Sequence, residues 1–347
     1  MLAAIYYGEN DIRIEDIEIP KIGNYEALIK VHAAAICGTD LKILSKGHFR
    51  IPNDTKRILG HEVVGEIVEI GKNIKCLKTG MRVGVSPNVG CGICKYCLSG
   101  NTNLCPNYEA IGITYDGGFA EYMRIPEEFI HQGNVVFFPP SLPYEHAVFA
   151  EPFSAVINGQ EACRINYSDI VLIIGAGPIG IMHFMLVENS SVQKVIVSET
   201  IKERREQISN LGAKIVIDPL NEDIKKIVYD LSYGRGADVI IIAASSAEAQ
   251  EESLELVARG GRINFFGGLL NKDEIIKINS NIIHYKQIFL TGTTGQNVLQ
   301  YNKSMELLIA GKLKVENLIT EVFRLSDVKK AFEKAFFKKS LKILLRP

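Results

Sequence analysis

The sequence predicts an α/β protein of two domains, a β-rich one and a doubly wound parallel-sheet one. Three observations carry this reading. Short apolar segments punctuated by glycine fill the first part, and continuous apolar runs alternate with helical stretches in the middle. At 347 residues the chain also exceeds what one ordinary hydrophobic core organises.

Residues 12–14 and Ala27–Ala35 carry alternating or apolar strand patterns, and residues 63–70 and 81–85 repeat them. Gly65, Gly71, Gly80 and Gly84 punctuate these runs, which is how a small barrel of short strands with tight turns is written. The pattern then changes. Ile170–Ile174 is a continuous apolar run of strand length, followed by glycines and a helical stretch to about Glu188. Residues 195–197 form another run and residues 202–211 a charged helix; segments 214–217, 239–242 and 262–266 continue the alternation. Buried strands separated by helices imply a parallel sheet with helices on both faces. The last part mixes helices over 299–308 and 326–336 with a terminal strand at 341–345. That tail is too short to fold alone and is expected to return to the first domain.

Composition and charge exclude other classes. A chain that is 47% hydrophobic and 23% charged has the balance of a soluble globular protein. A net charge of −1 lacks the basic surface that neutralises phosphates, which argues against a nucleic-acid binder. No apolar run reaches the roughly 18 residues that span a bilayer. Residues 1–11 show no basic segment followed by an apolar stretch, so a cytoplasmic protein with no membrane partner is expected.

The seven cysteines are Cys37, Cys76, Cys91, Cys94, Cys97, Cys105 and Cys163. An odd total in a chain of this kind reads as metal or catalytic chemistry, not a disulfide framework. Cys91-x2-Cys94-x2-Cys97-x7-Cys105 is the strongest local signal. Four closely spaced thiolates let one loop wrap a tetrahedral zinc and leave no position for water or substrate, so that ion would be structural. Free thiols, a disulfide pair and an iron–sulfur cluster are the alternatives. A second set is dispersed: Cys37 at the end of a predicted strand, His61 and Glu62 within 60–65, and Glu151. A thiolate, an imidazole and a carboxylate from separate segments suit a zinc with an open position, which catalysis needs. Singly, each has an ordinary explanation as a buried cysteine, a structural histidine or a helix-capping glutamate, and spacing alone does not join them.

Gly175-Ala176-Gly177-Pro178-Ile179-Gly180 follows the strand Ile170–Ile174 and opens a helix. In that context the glycines permit the turn and the close approach of a pyrophosphate, which the helix amides then meet. Glu199 ends the next strand, nineteen residues past Gly180. An acid there hydrogen-bonds the adenosine ribose and repels a 2′-phosphate, which predicts NAD over NADP. Arg204 and Arg205 lie close by and leave room for NADP.

Gly60-His61-Glu62-x2-Gly65-x5-Gly71, the segment Cys37-Gly38-Thr39-Asp40, the four-cysteine loop and the glycine motif together resemble the zinc-containing medium-chain alcohol dehydrogenases over the whole chain. Within that family the sequence is most similar to the sorbitol (polyol) and threonine dehydrogenase branches. The resemblance implies a GroES-like β-barrel catalytic domain over 1–153 and 295–347, and a Rossmann NAD-binding domain over 154–294. It implies Cys37 and His61 as catalytic zinc ligands, with Glu62 and Glu151 binding that zinc directly or through water. It further implies two zinc ions per chain, one catalytic and one structural, and a homo-tetramer or homo-dimer. Zinc would act as a Lewis acid on a substrate hydroxyl while hydride passes to the nicotinamide. Thr39 lies where the family places a hydroxyl that relays the proton.

Two departures qualify the match. Lys42 replaces a histidine that many relatives carry five residues after the zinc cysteine. Lysine is a poor proton carrier near neutral pH, so Lys42 is expected to hold the ribose or a substrate anion; the alternative is an exposed lysine. Residues 293–297 lack the arginine and aromatic that sorbitol dehydrogenases commonly place there. His48, Arg50, Lys56 and Arg57 precede Gly60 and could hold a phosphate or carboxylate. The expected activity is oxidation of a secondary alcohol of a polyol or polyol phosphate by NAD. The alternatives are a threonine-type or other zinc alcohol or sugar dehydrogenase, and a catalytically silent NAD-binding relative.

Overall fold

A computed structural model describes residues 1–52, 54–269, 271, 273–337 and 340–347. The chain divides into two compact units, Met1–Ser154 with Gly295–Pro347, and Ala155–Thr294.

The first unit is built around the strand Ala27–Ala35, whose small and branched residues are almost all buried. It is central: Glu62–Ile70 pairs with it antiparallel, and Tyr122–Ile125 pairs with its first half. The terminal strand Lys342–Arg346 joins its other end, with Leu344 opposite Ala35. Arg82–Val85 and Val135–Phe137 extend the sheet on one side and Ile319–Arg324 on the other. A three-stranded sheet of Asp11–Asp16, Leu2–Gly8 and Arg57–Ile58 lies in the same unit. Ile29, Ile67, Val83, Phe119, Phe129 and Phe332 share one apolar core, whose burial drives this packing. The register sets up the chemistry. Ala35 stands opposite Glu62, so the residues just past 35 and those around 62 emerge at one end of the sheet, where Lys342 also begins its strand.

The second unit carries six parallel strands in the order Val216–Ile217, Lys194–Ser198, Ile170–Ile174, Ala237–Ile242, Val257–Phe265, Phe289–Gly292. Ile170–Ile174 is interior and buried on both faces, which is why its sequence is unbroken Ile, Val and Leu. The chain order reverses beside this strand, and in open α/β sheets ligands bind at that switch point. Two strands differ from their sequence patterns. The one expected over 262–266 already starts at Val257. The chain passes through Gly260 and Gly261 as an irregularity of register, with φ of +69° at Gly260. The one expected over 214–217 is only Val216–Ile217, an edge strand with one neighbour. The helix expected over 326–336 is Val328–Phe336, preceded by a 3-10 turn at Leu325–Asp327. Among the described residues, no helix is long and apolar enough to cross a membrane.

Candidate functional site

Cys37 precedes the helix Gly38–Lys46, and its backbone N–H donates to Asp40 Oδ2 at 2.8 Å, a bond that fixes the turn between strand and helix. Gly60 turns the chain toward His61 with φ of +93°, and an added Cβ would lie 2.5 Å from the Phe119 ring, so only glycine fits. The ligand atoms of Cys37, His61 and Glu62 all fall within 4.8 Å of one another. His61 Nδ1 lies 3.6 Å from Asp40 Oδ1, which leaves Nε2 as the nitrogen for a ligand bond. A carboxylate behind a histidine in this way orients the ring and makes it a better donor. Burial lowers the His61 pKa, but the negative charge of Asp40 and Cys37 outweighs it and carries the pKa well above the usual value. An ion bound to the ring would displace that proton.

Glu62 is fully buried, and its Oε1 accepts from Lys342 Nζ at 2.5 Å. Lys342 is itself buried and also donates to the Ile36 carbonyl at 3.4 Å. Glu62 Oε2 has no hydrogen-bond partner among the described residues, nor do Asp40 Oδ1 and His61 Nδ1. A buried polar atom without a partner costs about 1–3 kcal/mol, more when charged. A divalent cation between thiolate, imidazole and carboxylate would satisfy Glu62 Oε2, and this donor set suits zinc. The residues therefore fit the ion that the sequence implied.

Glu151 lies in the first turn of Ala150–Ala162, and its Oε1 accepts from Gln296 Nε2 at 2.8 Å. Burial pushes its pKa up to about 7; the charge of His61 opposes this and that of Glu62 adds to it. Its carboxylate is not among the ligand atoms that converge within 4.8 Å. Tyr301 is buried nearby, and burial with the charges of Glu151 and Glu62 raises its pKa.

Cys91, Cys94, Cys97 and Cys105 also bring their sulfurs within 4.8 Å of one another. Cys94 Sγ lies 3.5 Å from Cys97 Sγ and 3.8 Å from Cys105 Sγ. A tetrahedron with metal–sulfur bonds of about 2.3 Å has edges of about 3.8 Å, so the spacing suits a zinc ion and none of these thiols is disulfide-bonded. Backbone N–H groups of Ile93 and Cys94 pull the Cys91 pKa down to about 6, while burial pushes Cys97 up to about 12. Cys76 is exposed, and Cys163 is buried with its thiol pushed up to about 12 by that burial, the condition of an inert cysteine.

Thr39 and Lys42 sit three residues apart on the helix Gly38–Lys46 and so share a face. Thr39 is half-buried and Lys42 exposed. The basic residues after this helix already have partners. Arg50 lies 3.4 Å from Glu109 and over the Tyr108 ring, Arg57 pairs with Asp116 at 2.9 Å, and Lys56 donates to the Tyr7 hydroxyl at 2.6 Å. His48 Nδ1 accepts from the Arg50 backbone. Arg50, Lys56 and Arg57 thus each have a partner within the fold.

In the second unit, Gly175 has φ of +98° and donates its N–H to the Ser198 carbonyl at 2.7 Å. A Cβ on Gly180 would lie 1.8 Å from the Gly175 carbonyl oxygen, so helix and loop can only close on glycine. Gly177 caps the helix Pro178–Glu188, with Pro178 at its first position and Ile179 next, leaving the first-turn amides toward the loop. Glu199 follows the strand Lys194–Ser198, and its Oε2 accepts from the Ala176 N–H at 2.7 Å.

Three residues with roles at these sites carried only faint sequence signals. Asp40 lies inside the quoted Cys37 segment, three residues from the cysteine as a capping carboxylate would be. Lys342 is a lone cation in an apolar terminal strand, and Gln296 lies in the segment that departs from the sorbitol pattern.

Residues 23–135 match the alcohol dehydrogenase GroES-like domain, and residues 178–310 match the zinc-binding dehydrogenase domain. The chain is 34% identical to an L-threonine 3-dehydrogenase of Caldanaerobacter subterraneus, over 95% of this chain and 94% of that protein. It is 32% identical to a sorbitol dehydrogenase of Bacillus subtilis, over 100% of this chain and 97% of that protein. The crystal structure of a zinc-binding dehydrogenase from Sinorhizobium meliloti bound to NADP is similar with a TM-score of 0.91 at 28% identity, covering 100% of this chain and 99% of that one. Fold and site thus define a two-domain oxidoreductase with a GroES-like and a Rossmann-like part. The chain belongs to the zinc-dependent medium-chain alcohol dehydrogenase family.

Proposed function

We propose that this chain oxidises a secondary alcohol of a free polyol and passes the hydride to NAD. Cys37, His61 and Glu62 would hold a catalytic zinc, with Glu151 beside it, and the four-cysteine loop a structural one. The observation that carries this reading is the convergence of Cys37, His61 and Glu62 around a buried carboxylate oxygen without a partner. Zinc bound there supplies Lewis acidity toward a substrate hydroxyl. Asp40 keeps the His61 ring turned with Nε2 to the ion. Lys342 holds one Glu62 oxygen, leaves the other for the ion, and offsets part of the negative charge of Glu62, Cys37 and Glu151. Glu151, held by Gln296, can accept from or donate to a substrate hydroxyl. Thr39 is the group we assign to passing the substrate proton outward, and Lys42, on the same face of that helix, would hold the ribose or a substrate anion.

Free polyols are preferred over polyol phosphates because Arg50, Lys56 and Arg57 are engaged with neighbours. L-threonine is the second reading, favoured by the likeness to a threonine dehydrogenase. The acid at Glu199 supports NAD as the ordinary acceptor. Unpaired cysteines suit the reducing cytoplasm, and the family resemblance supports a homo-tetramer or homo-dimer. The test is nucleotide reduction with free polyols, their phosphates, L-threonine and simple alcohols, for zinc-loaded and chelated enzyme. Turnover of one polyol class that disappears on chelation is the expected result. Turnover of threonine alone supports the second reading, and silence of the zinc-loaded enzyme across the panel overturns both.

A further inference from the structure

We infer that the cavity between the first β-hairpin and the end of the helix Gly38–Lys46 binds a zwitterionic α-amino acid, with Glu9 taking the ammonium group and Lys46 the carboxylate. The site is separate from the zinc centre, so the inference stands independently of the activity proposed above.

The cavity holds about 490 Å³, within the range of about 300–1,000 Å³ usual for small-molecule pockets. The turn between Leu2–Gly8 and Asp11–Asp16 contributes Glu9 to its lining, and the helix end with the loop after it contributes Lys46, Gly47, His48 and Phe49. Turn and helix are tied together, because the Asn10 N–H donates to the Leu44 carbonyl at 2.6 Å. Gly47 ends the helix with φ of +67°. A Cβ there would lie 3.7 Å from Glu9 Oε1 and 3.8 Å from the Tyr6 hydroxyl, so both groups reach the helix end. Tyr6 is 4% exposed and lines the cavity, and its hydroxyl has no hydrogen bond among the described residues. Glu9 and Lys46 are exposed, and neither has an ion-pair partner among the described residues. His48 is not a third charge: its Nδ1 accepts from the Arg50 N–H at 3.2 Å, and burial, then the Arg50 charge, lowers its pKa.

Two opposite charges without partners in one cavity match a ligand that carries both signs. The end of the helix adds partial negative charge on the side that Glu9 reaches, which suits an ammonium group. The Tyr6 hydroxyl can donate to the carboxylate that Lys46 holds. Phe49 is 89% exposed and stacks on His48 with ring centroids 4.7 Å apart, which gives an apolar side chain a surface to cover. A polyol offers neither charge. Cys37 opens this helix and Lys46 ends it, roughly 13 Å away along the axis, so a ligand in the cavity is out of reach of the zinc ligands.

The test is calorimetric titration of the zinc-loaded full chain with L-phenylalanine, 2-phenylethylamine and 3-phenylpropanoate. The three share a ring, and the last two each lack one of the charges. Saturable binding of L-phenylalanine is expected, with each of the other two weaker by about tenfold or more, the worth of one charge-assisted contact. Glu9→Gln and Lys46→Gln change exposed side chains, so Tm should hold while each weakens L-phenylalanine by about tenfold or more. The charge-swapped double variant, Glu9→Lys with Lys46→Glu, should bind L-phenylalanine more tightly than either of its single changes, because the ligand can turn end for end. No saturable binding of L-phenylalanine to the native chain overturns the inference. So does binding that both single variants leave unchanged, which would put the ligand elsewhere, or equal binding of all three compounds, which would reduce the cavity to an apolar surface.

Discussion

Replacing Lys342 with methionine removes a buried ammonium and keeps an unbranched side chain. Lys342 is 5% exposed and its Nζ stands 2.5 Å from Glu62 Oε1. The other Glu62 oxygen already lacks a partner, so without zinc the variant buries a carboxylate with nothing to balance it. At this separation and an effective dielectric of about 20, the attraction is roughly 6–7 kcal/mol, most of which offsets the desolvation of the two ions. Deleting one partner of such a pair costs about 3–5 kcal/mol, against a total stability of about 5–15 kcal/mol. For a unit of this size that is a fall in Tm of roughly 6–20 °C. Zinc gives Glu62 another cation, so the loss should shrink when zinc is loaded. The assay is urea unfolding, followed by far-ultraviolet circular dichroism, of Lys342→Met, Glu62→Gln and the double variant, each with and without zinc. The double variant has no unpaired buried charge and should recover to within about 1–2 kcal/mol of the native protein. A zinc-free Lys342→Met loss below about 1 kcal/mol, or a double variant no better than the single, would refute the claim that this pair holds Glu62 in place.

Three further outcomes follow from the same geometry. Asp40→Asn should lower zinc affinity at the Cys37–His61 centre about 10- to 100-fold, read by chelator competition; unchanged affinity would remove Asp40 from the role of orienting His61. Gly180→Ala places a methyl 1.8 Å from the Gly175 carbonyl oxygen, so the loop must open and NADH binding should drop by about 100-fold or more. Calorimetry checks this, and retained affinity would show that the loop adjusts freely. His183 is fully buried in Pro178–Glu188, and burial holds its pKa down to about 3 from 6.5. Its folded pKa lies below its unfolded one, so this stabilisation is complete above pH 6.5 and is lost as the pH falls toward 3, by about 1.4 kcal/mol per pH unit. His183→Leu should flatten the acid side of the stability curve; equal slopes in both proteins between pH 6.5 and 4 would assign the acid loss to other groups.

The sequence was most legible where burial is complete and local. Ile170–Ile174 and Ala27–Ala35 are buried along most of their length, and their apolar residues mark them as strands. Legibility fell where tertiary pairing overrides a local signal. Pairing with Ala237–Ile242 carries the strand back through Gly260 and Gly261 to Val257. At an edge, 214–217 keeps only the two residues that find a neighbour. The four-cysteine loop is visible because its ligands lie close in sequence. The Cys37 centre is not, because it forms only when Ala35 pairs with Glu62 and the terminal strand pairs beside them. Lys342 is 280 residues from Glu62, a distance at which spacing carries no information. Glu151, which the resemblance places on the zinc directly or through water, has its carboxylate on Gln296 and outside the three converging ligand atoms.

The most direct measurement is zinc titration of the chelated enzyme, with zinc per chain and nucleotide reduction by a polyol followed together, for the native chain and for Cys37→Ser. The account predicts two zinc ions per native chain, turnover that rises with occupancy of the Cys37–His61 centre, and a Cys37→Ser protein that keeps one zinc and no turnover. Full activity in Cys37→Ser, or turnover of the native chain unaffected by removing all zinc, would contradict it.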